Sequence, residues 1–245
     1  MRVKVEVCVT SVREAVAAES CGADGVELCT WLACGGITPS NGLVDAVRSA
    51  VEVPARVLVR PTPGGFVYTG PEVHAILIDA EVFGGGALGL VAGGLTEAGA
   101  PDVALMREVM RVAPESEFTF HRAIDHATDM LFALDACLDL GVHRVLSSGG
   151  ETLALDGASR LKAMVERAGD RLLIAAAGGI NPDNVVELVE RTGVREVHFA
   201  AQVPVKSKLH GAAMSSTHAG VSFETEPDRA KIEGVLDALV KAGLR

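Results

Sequence analysis

Aromatic residues are scarce in this chain: one Trp, one Tyr and seven Phe make up 4% of its 245 residues. Small aliphatic side chains must therefore build the core, which suits a strand–helix repeat with many tight turns. Basic residues are also in the minority. Lys and Arg number 22 against 32 Asp and Glu, a formal charge of −10. That balance argues against nucleic acid or an anionic membrane surface as the partner. It leaves room for a small anionic ligand, since a few local arginines suffice to hold one. No apolar run reaches the roughly 18–20 residues a bilayer span needs. The chain opens into a strand pattern without the basic, apolar and small-residue sections of a signal peptide. There is no Cys-x-x-Cys pair, which weighs against a zinc ribbon or a thioredoxin-like site. The five cysteines (Cys8, Cys21, Cys29, Cys34 and Cys137) are an odd number, and a chain of this size needs no disulfide staples. A reducing cytoplasm is the expected location.

What is present is a regular alternation. Strand-like runs fall near 3–9, 25–29, 55–60, 87–92, 116–121, 143–148, 171–177 and 195–201. Helix-like segments separate them at roughly 11–21, 40–50, 70–83, 101–112, 128–140, 153–168, 181–192 and 228–242. Ser11-Val12-Arg13-Glu14 reads as a capping box, and Asn181-Pro182 as an N-cap followed by proline at the first helical position. Ser40 reads as a further N-cap. With no linker or low-complexity break, these units predict one (β/α)8 TIM-type barrel domain over residues 1–245. A doubly wound sheet would announce a glycine-rich turn after its first strand, and Thr10-Ser11-Val12-Arg13 is not one. The irregular stretch 202–227 falls where a barrel carries its catalytic face.

Two cysteines close strand-like runs in matching parity with carboxylates. In Val3–Val9, alternation sends Val5, Val7 and Val9 to one face and Glu6 and Cys8 to the other. In Asp24–Cys29, Val26 and Leu28 oppose Glu27 and Cys29. If these runs are neighbouring parallel strands, two thiols and two carboxylates converge on one side of the sheet. Such a set suits a soft metal ion or acid–base chemistry.

The remaining strand ends add Arg56 and Arg60, then His121, Arg122 and Asp125, then Ser147 and Ser148, Gly178-Gly179, and His198. Parity sets His121 against Phe118 and Phe120, and His198 against Val197 and Phe199, so both imidazoles face the lumen. Gly178-Gly179-Ile180-Asn181 offers bare amides for an anion, as loops after strands seven and eight of barrels often do. Lys206, Lys208 and His210 add positive charge beyond it. Each feature has a plainer reading. Cys21 and Cys137 are small hydrophobes on helices. Glu6 and Arg56 make an ion pair inside the barrel. Asp125 is the N-cap of the next helix. Gly-Gly suits any tight turn.

Taken together, several runs resemble the CutC copper homeostasis proteins. They are Glu6-Val7-Cys8, Val26-Glu27-Leu28-Cys29, Gly35-Gly36-Ile37-Thr38-Pro39-Ser40, Phe120-His121-Arg122-Ala123 with Asp125, Arg144-Val145-Leu146 with Ser148-Gly149, and Glu196-Val197-His198. The similarity runs in register over nearly the whole chain and is weakest after residue 200. It implies a cytoplasmic barrel that forms homo-oligomers and binds Cu(I) through two cysteines, which map onto Cys8 and Cys29. Cu(I) is soft and accepts low-coordinate thiolate ligation. The family's Arg-Pro-Arg-Gly-Gly-Asp-Phe run appears here as Arg60-Pro61-Thr62-Pro63-Gly64-Gly65-Phe66, without the second arginine and the aspartate. Strand four, Gly86-Ala87-Leu88-Gly89, lacks the aspartate common before the second glycine, and Cys34 replaces what is often an acid.

Two functional readings follow. In the first, Cys8 and Cys29 hold Cu(I) as thiolates, with Cys34 assisting. In the second, a lyase-, isomerase- or hydrolase-like enzyme acts on a small anionic metabolite, phosphorylated or not. There Arg60 and Arg122 bind the anion with Gly178 and Gly179. Glu27 or His121 is the general base, and Asp125 or His198 orients or donates a proton. No organic cofactor is indicated.

Overall fold

A computed structural model of the chain describes residues 2–85, 88–205 and 223–245. Eight parallel strands close into a barrel in sequence order. They are β1 (Lys4–Val9), β2 (Gly25–Leu28), β3 (Ala55–Leu58), β4 (Gly89–Ala92), β5 (Phe118–Phe120), β6 (Arg144–Ser147), β7 (Leu173–Ala177) and β8 (Glu196–Ala200). Each is followed by a helix of the outer ring: α1 (Val12–Cys21), α2 (Asn41–Arg48), α3 (Gly70–Gly84), α4 (Val103–Val112), α5 (Met130–Leu140), α6 (Ala158–Ala168), α7 (Val185–Thr192) and α8 (Arg229–Lys241). The sequence-based (β/α)8 reading is thus borne out. Among the described residues no helix is long and apolar enough to cross a membrane.

Short apolar strands sit where a parallel sheet is covered by helices. Val5, Val7, Val9, Val26, Leu28, Val57, Phe118, Phe120 and Val197 are buried in the main apolar cluster together with helix residues such as Leu105, Leu134, Leu161 and Leu188. The opposite parity faces the lumen. Cys8 and Cys29 there share a small cluster with Leu58 and Val91.

The helix starts differ in detail from expectation. Ser11 caps α1 by accepting from the Glu14 amide at 3.3 Å. The Glu14 carboxylate, however, accepts from the Thr10 amide at 2.7 Å and from Gln202 Nε2 at 2.7 Å, so the reciprocal half of the box is replaced by a tie to the far end of the chain. Ser40 caps α2 as predicted. Asn181 does not cap α7. Its Oδ1 accepts from the Asp183 amide at 2.9 Å, forming a tight turn around Pro182, and the helix begins at Val185 after Asn184. Residues 202–227 are not wholly irregular. β9 (Gln202–Pro204) and β10 (Thr225–Pro227) pair antiparallel, while Lys206, Lys208 and His210 lie outside the described residues.

Across the lower lumen runs a buried ionic layer. Glu6 bonds Arg56 Nη1 and Arg144 Nη2, each at 2.5 Å, and Arg144 Nη2 also lies 2.6 Å from Glu196. Desolvated charges persist only when each has such partners. Arg56 therefore belongs to the interior of the barrel and not to its mouth, because it is the second residue of β3 and reaches inward to Glu6 and outward to Glu117.

Candidate functional site

Above the ionic layer, at the carboxyl ends of the strands, lies a chamber of about 640 Å³. Catalytic and ligand sites of (β/α)8 barrels form at this face. Of the residues singled out from sequence, Cys8, Glu27, Arg60, His121, Arg122, Gly178, Gly179 and His198 line it. Cys29 lies directly behind Cys8, and Asp125 lies to one side beneath the loop after β6.

The register explains the floor. Cys8 pairs with Glu27 across β1–β2, and Glu6 pairs with His198 across β1–β8. Parity then points all four side chains inward. Cys8 Sγ and Cys29 Sγ are 3.5 Å apart, and both residues are almost fully buried. The bond to Cys29, burial and the nearby carboxylates push the Cys8 thiol well above its ordinary range. Ligand atoms of Cys8, Glu27 and His198 lie within 4.8 Å of one another.

Glu6 sets the orientation of His198. Burial alone would raise the Glu6 carboxyl, but Arg144, the His198 bond and Arg56 together hold it well below the usual range. As a carboxylate it can only accept, so His198 Nδ1 donates to Glu6 Oε1 at 2.8 Å. Nε2 is left for other contacts. A histidine whose other ring N–H bonds a carboxylate is the usual arrangement behind a metal ligand. Burial lowers the affinity of His198 for a second proton, yet Glu27 and Glu6 outweigh it and raise the imidazole.

Glu27 is one of the unsatisfied groups in the chamber wall. Its Oε2 is buried with no hydrogen-bond partner among the described residues. Burial pushes the Glu27 carboxyl upward, with His198, Arg144 and Arg56 only partly opposing. A buried carboxyl oxygen without a partner at a cavity wall makes Glu27 a candidate for a functional position.

His121 stands across the chamber at the end of β5. The Ala123 amide donates to its Nδ1 at 3.2 Å, so that nitrogen carries no proton. Burial, followed by the charge of Arg60, pushes the imidazole down to about 3. The ring is therefore neutral with its proton on Nε2, and Nε2 is buried without a partner among the described residues.

The arginines are partly committed. Arg60 Nη1 donates to the carbonyls of Cys34 and Gly36, and Nη2 to that of Gly64, stitching two rim loops together. Arg122 bonds Asp125 at 2.8 Å and Ser148 Oγ at 2.7 Å, and two-fifths of its side chain is exposed. Asp125 neither caps α5, which starts behind Asp129, nor reaches the chamber. Its oxygens accept from Ser147 Oγ, the Ser148 amide and hydroxyl, and the Gly150 amide. It shapes the loop after β6. Cys34 lines the rim with its thiol turned to the Trp31 carbonyl at 3.1 Å.

Sequence reasoning missed three contributors. Arg144 and Glu196 complete the ionic layer, and Glu196 shares the parity of His198, a usable signal. Lys231, on the first turn of α8, lines the chamber and donates to the Ala200 carbonyl at 2.7 Å. No spacing connects that lysine to the strand ends.

The fold and chamber define a (β/α)8 barrel protein with a thiol-, carboxylate- and imidazole-lined pocket at the strand carboxyl ends. Comparison with known proteins narrows this class: the chain belongs to the CutC family, whose family model matches residues 3–203. It is 40% identical over 201 residues to the human copper homeostasis protein cutC homolog, covering 81% of this chain and 73% of that one. It is 43% identical over 206 residues to a CutC family protein of Caulobacter vibrioides, covering 83% and 84% of the two chains. A solved structure of CutC from Streptococcus agalactiae superposes with a TM-score of 0.75 at 26% identity. It covers 80% of this chain and 98% of its own.

Proposed function

We propose that this protein serves copper homeostasis by binding Cu(I) at the floor of the chamber, with Cys8 and Cys29 as thiolate ligands. The observation that carries this reading is the 3.5 Å approach of the two sulfurs, with Cys8 open to the chamber. Metal–sulfur bonds of about 2.3 Å would span that gap in a bent geometry. A bent pair leaves room for a third ligand, and His198 Nε2 and Glu27 stand within reach of Cys8. Soft thiolates select Cu(I) over Mg2+ or Ca2+. Membership of a family with members named for copper homeostasis supports the same direction.

The proposal places the protein in the cytoplasm, where the five unpaired cysteines stay reduced. It also makes the protein a homo-oligomer. Ile78 and Val82, one turn apart on α3, stand about half exposed and give an apolar face a second copy could cover.

The test is an anaerobic Cu(I) titration against a competing chelator, comparing the wild type with Cys8→Ala/Cys29→Ala. A tight site present in the first and absent from the second supports the reading. Equal, weak binding by both overturns it.

A further inference from the structure

A chamber of about 640 Å³ is far larger than one metal ion requires, and falls in the size range of small-molecule sites. Its charge is opposite to that of the whole chain. Arg60, Arg122 and Lys231 line it, while Glu27 is its one carboxylate among the described lining residues. Net negative proteins that line a pocket with cations use them to hold an anion.

Two further features give that anion a place and an orientation. Gly178 and Gly179, with φ of +117° and +67°, turn the chain after β7. Among the described residues, nothing accepts from the amides of Gly178, Gly179 or Ile180. Lys231 lines the same chamber as this turn, and its helix packs against the segment that follows the turn: a Cβ on Gly234 would lie 2.7 Å from Pro182 Cγ. One of its three ammonium protons goes to the Ala200 carbonyl, and the ammonium lies 5.3 Å from the centroid of the Phe199 ring; a lysine has three such donors, so a ligand oxygen can be added to these contacts. Elsewhere in the same chamber wall, at the end of β5, His121 holds a buried Nε2–H that no described residue accepts, on a residue about 5% exposed. A buried donor without an acceptor is costly unless something else supplies one.

We propose that the chamber binds a small organic anion bearing a carbonyl group, with the anionic end on the Gly178–Gly179 turn and Lys231 and the carbonyl oxygen on Nε2–H of His121. The anion is a carboxylate or a phosphate, both of which accept from backbone amides and lysine. His121 can only donate there, so it favours an anion whose other end carries an acceptor such as a carbonyl oxygen, and an anion whose other end has none leaves its proton unpaired. This site lies above the thiol pair, uses neither cysteine, and stands or falls separately from Cu(I) binding.

The experiment is calorimetric titration of the whole metal-free, reduced protein with four probes. Glycolaldehyde phosphate and pyruvate carry both groups, and ethyl phosphate and propionate are their carbonyl-free counterparts. One carbonyl compound is expected to bind with a Kd of about 1 mM or tighter. It should bind at least about tenfold tighter than its counterpart. Whichever pair shows the preference identifies the anion. His121→Asn should erase the preference while the carbonyl-free anion binds as before, and Lys231→Met should weaken both members of the pair. If neither carbonyl compound outbinds its counterpart, or the preference survives in His121→Asn, the proposal fails. Ring-nitrogen NMR of the wild type checks the same contact without mutation. An unmoved His121 Nε2 resonance at saturation with the preferred probe would equally overturn it.

Discussion

Glu6 and His198 sit side by side across the β1–β8 seam, and the 2.8 Å bond between them joins the ionic layer to the chamber floor. Glu6 is the shared acceptor of Arg56, Arg144 and His198. A single carboxylate thus fixes two arginines and the tautomer of the imidazole above them.

Glu6→Gln should therefore be costly. Removing one member of a buried ionic cluster leaves its partners uncompensated and costs about 3–5 kcal/mol. The folded Glu6 titrates below its unfolded value, so its contribution is present above the unfolded range near pH 4.3 and is lost as pH falls through the folded value. Urea unfolding should show the wild type well above the variant at neutral pH, with the gap closing in acid. A constant gap would show that Glu6 acts through packing alone.

Cu(I) affinity should rise with pH. The Cys8 thiol is held well above its ordinary range, so at neutral pH it is protonated and must release that proton on binding a metal. Each proton released adds about one logarithmic unit of affinity per pH unit. Chelator competition repeated across neutral to mildly alkaline pH measures the slope. A flat profile would mean that Cys8 does not bind as a thiolate.

The barrel was legible because period-two apolar runs alternate with longer helical segments. Parity alone put Cys8, Glu27 and His198 on the lumen side, since side-chain direction along a strand is fixed by position. Parity says nothing of depth. Arg56 shares the facing of Glu27 but lies at the start of its strand and is drawn into the ionic layer. Asp125 illustrates a second limit. Adjacency to His121 and Arg122 suggested chemistry, yet four nearby donors from the end of β6 and the loop after it occupy its oxygens. Lys231 is the reverse case, placed at the chamber only by how α8 packs onto the closed ring.

The neutral state of His121 has a stability cost that shows in acid. Its unfolded ring takes a proton near pH 6.5, whereas burial and Arg60 delay this in the folded protein to about 3. Between these values the unfolded state binds the proton that the native state refuses, so stability falls as pH drops, by up to about 1.4 kcal/mol per pH unit. In His121→Asn that slope should disappear, so the variant gains on the wild type as pH falls from 6.5 toward 3. Urea unfolding at several pH values reads the difference. Parallel curves for the two proteins would mean that His121 titrates normally in the fold.

Gly36 controls the position of Cys29 from the loop after β2. It adopts φ of +88°, and a Cβ there would stand 2.9 Å from Leu58 Cδ2, 3.1 Å from Cys29 Cβ and 3.2 Å from Cys29 Sγ. Gly36→Ala must therefore push Cys29 or Leu58 aside, an overpacking cost of about 1–3 kcal/mol. The left-handed backbone adds about 1 kcal/mol for any residue with a Cβ. If the thiol pair is the Cu(I) site, displacing one sulfur should also weaken Cu(I) binding by at least about tenfold. Gly42→Ala is the control. Nothing lies within 4 Å of a Cβ at that position on α2, so stability should hold or rise slightly and Cu(I) affinity should not move. Loss of stability in Gly36→Ala with unchanged Cu(I) affinity would separate Cys29 from the metal and leave Cys8 with the ligands on its other side.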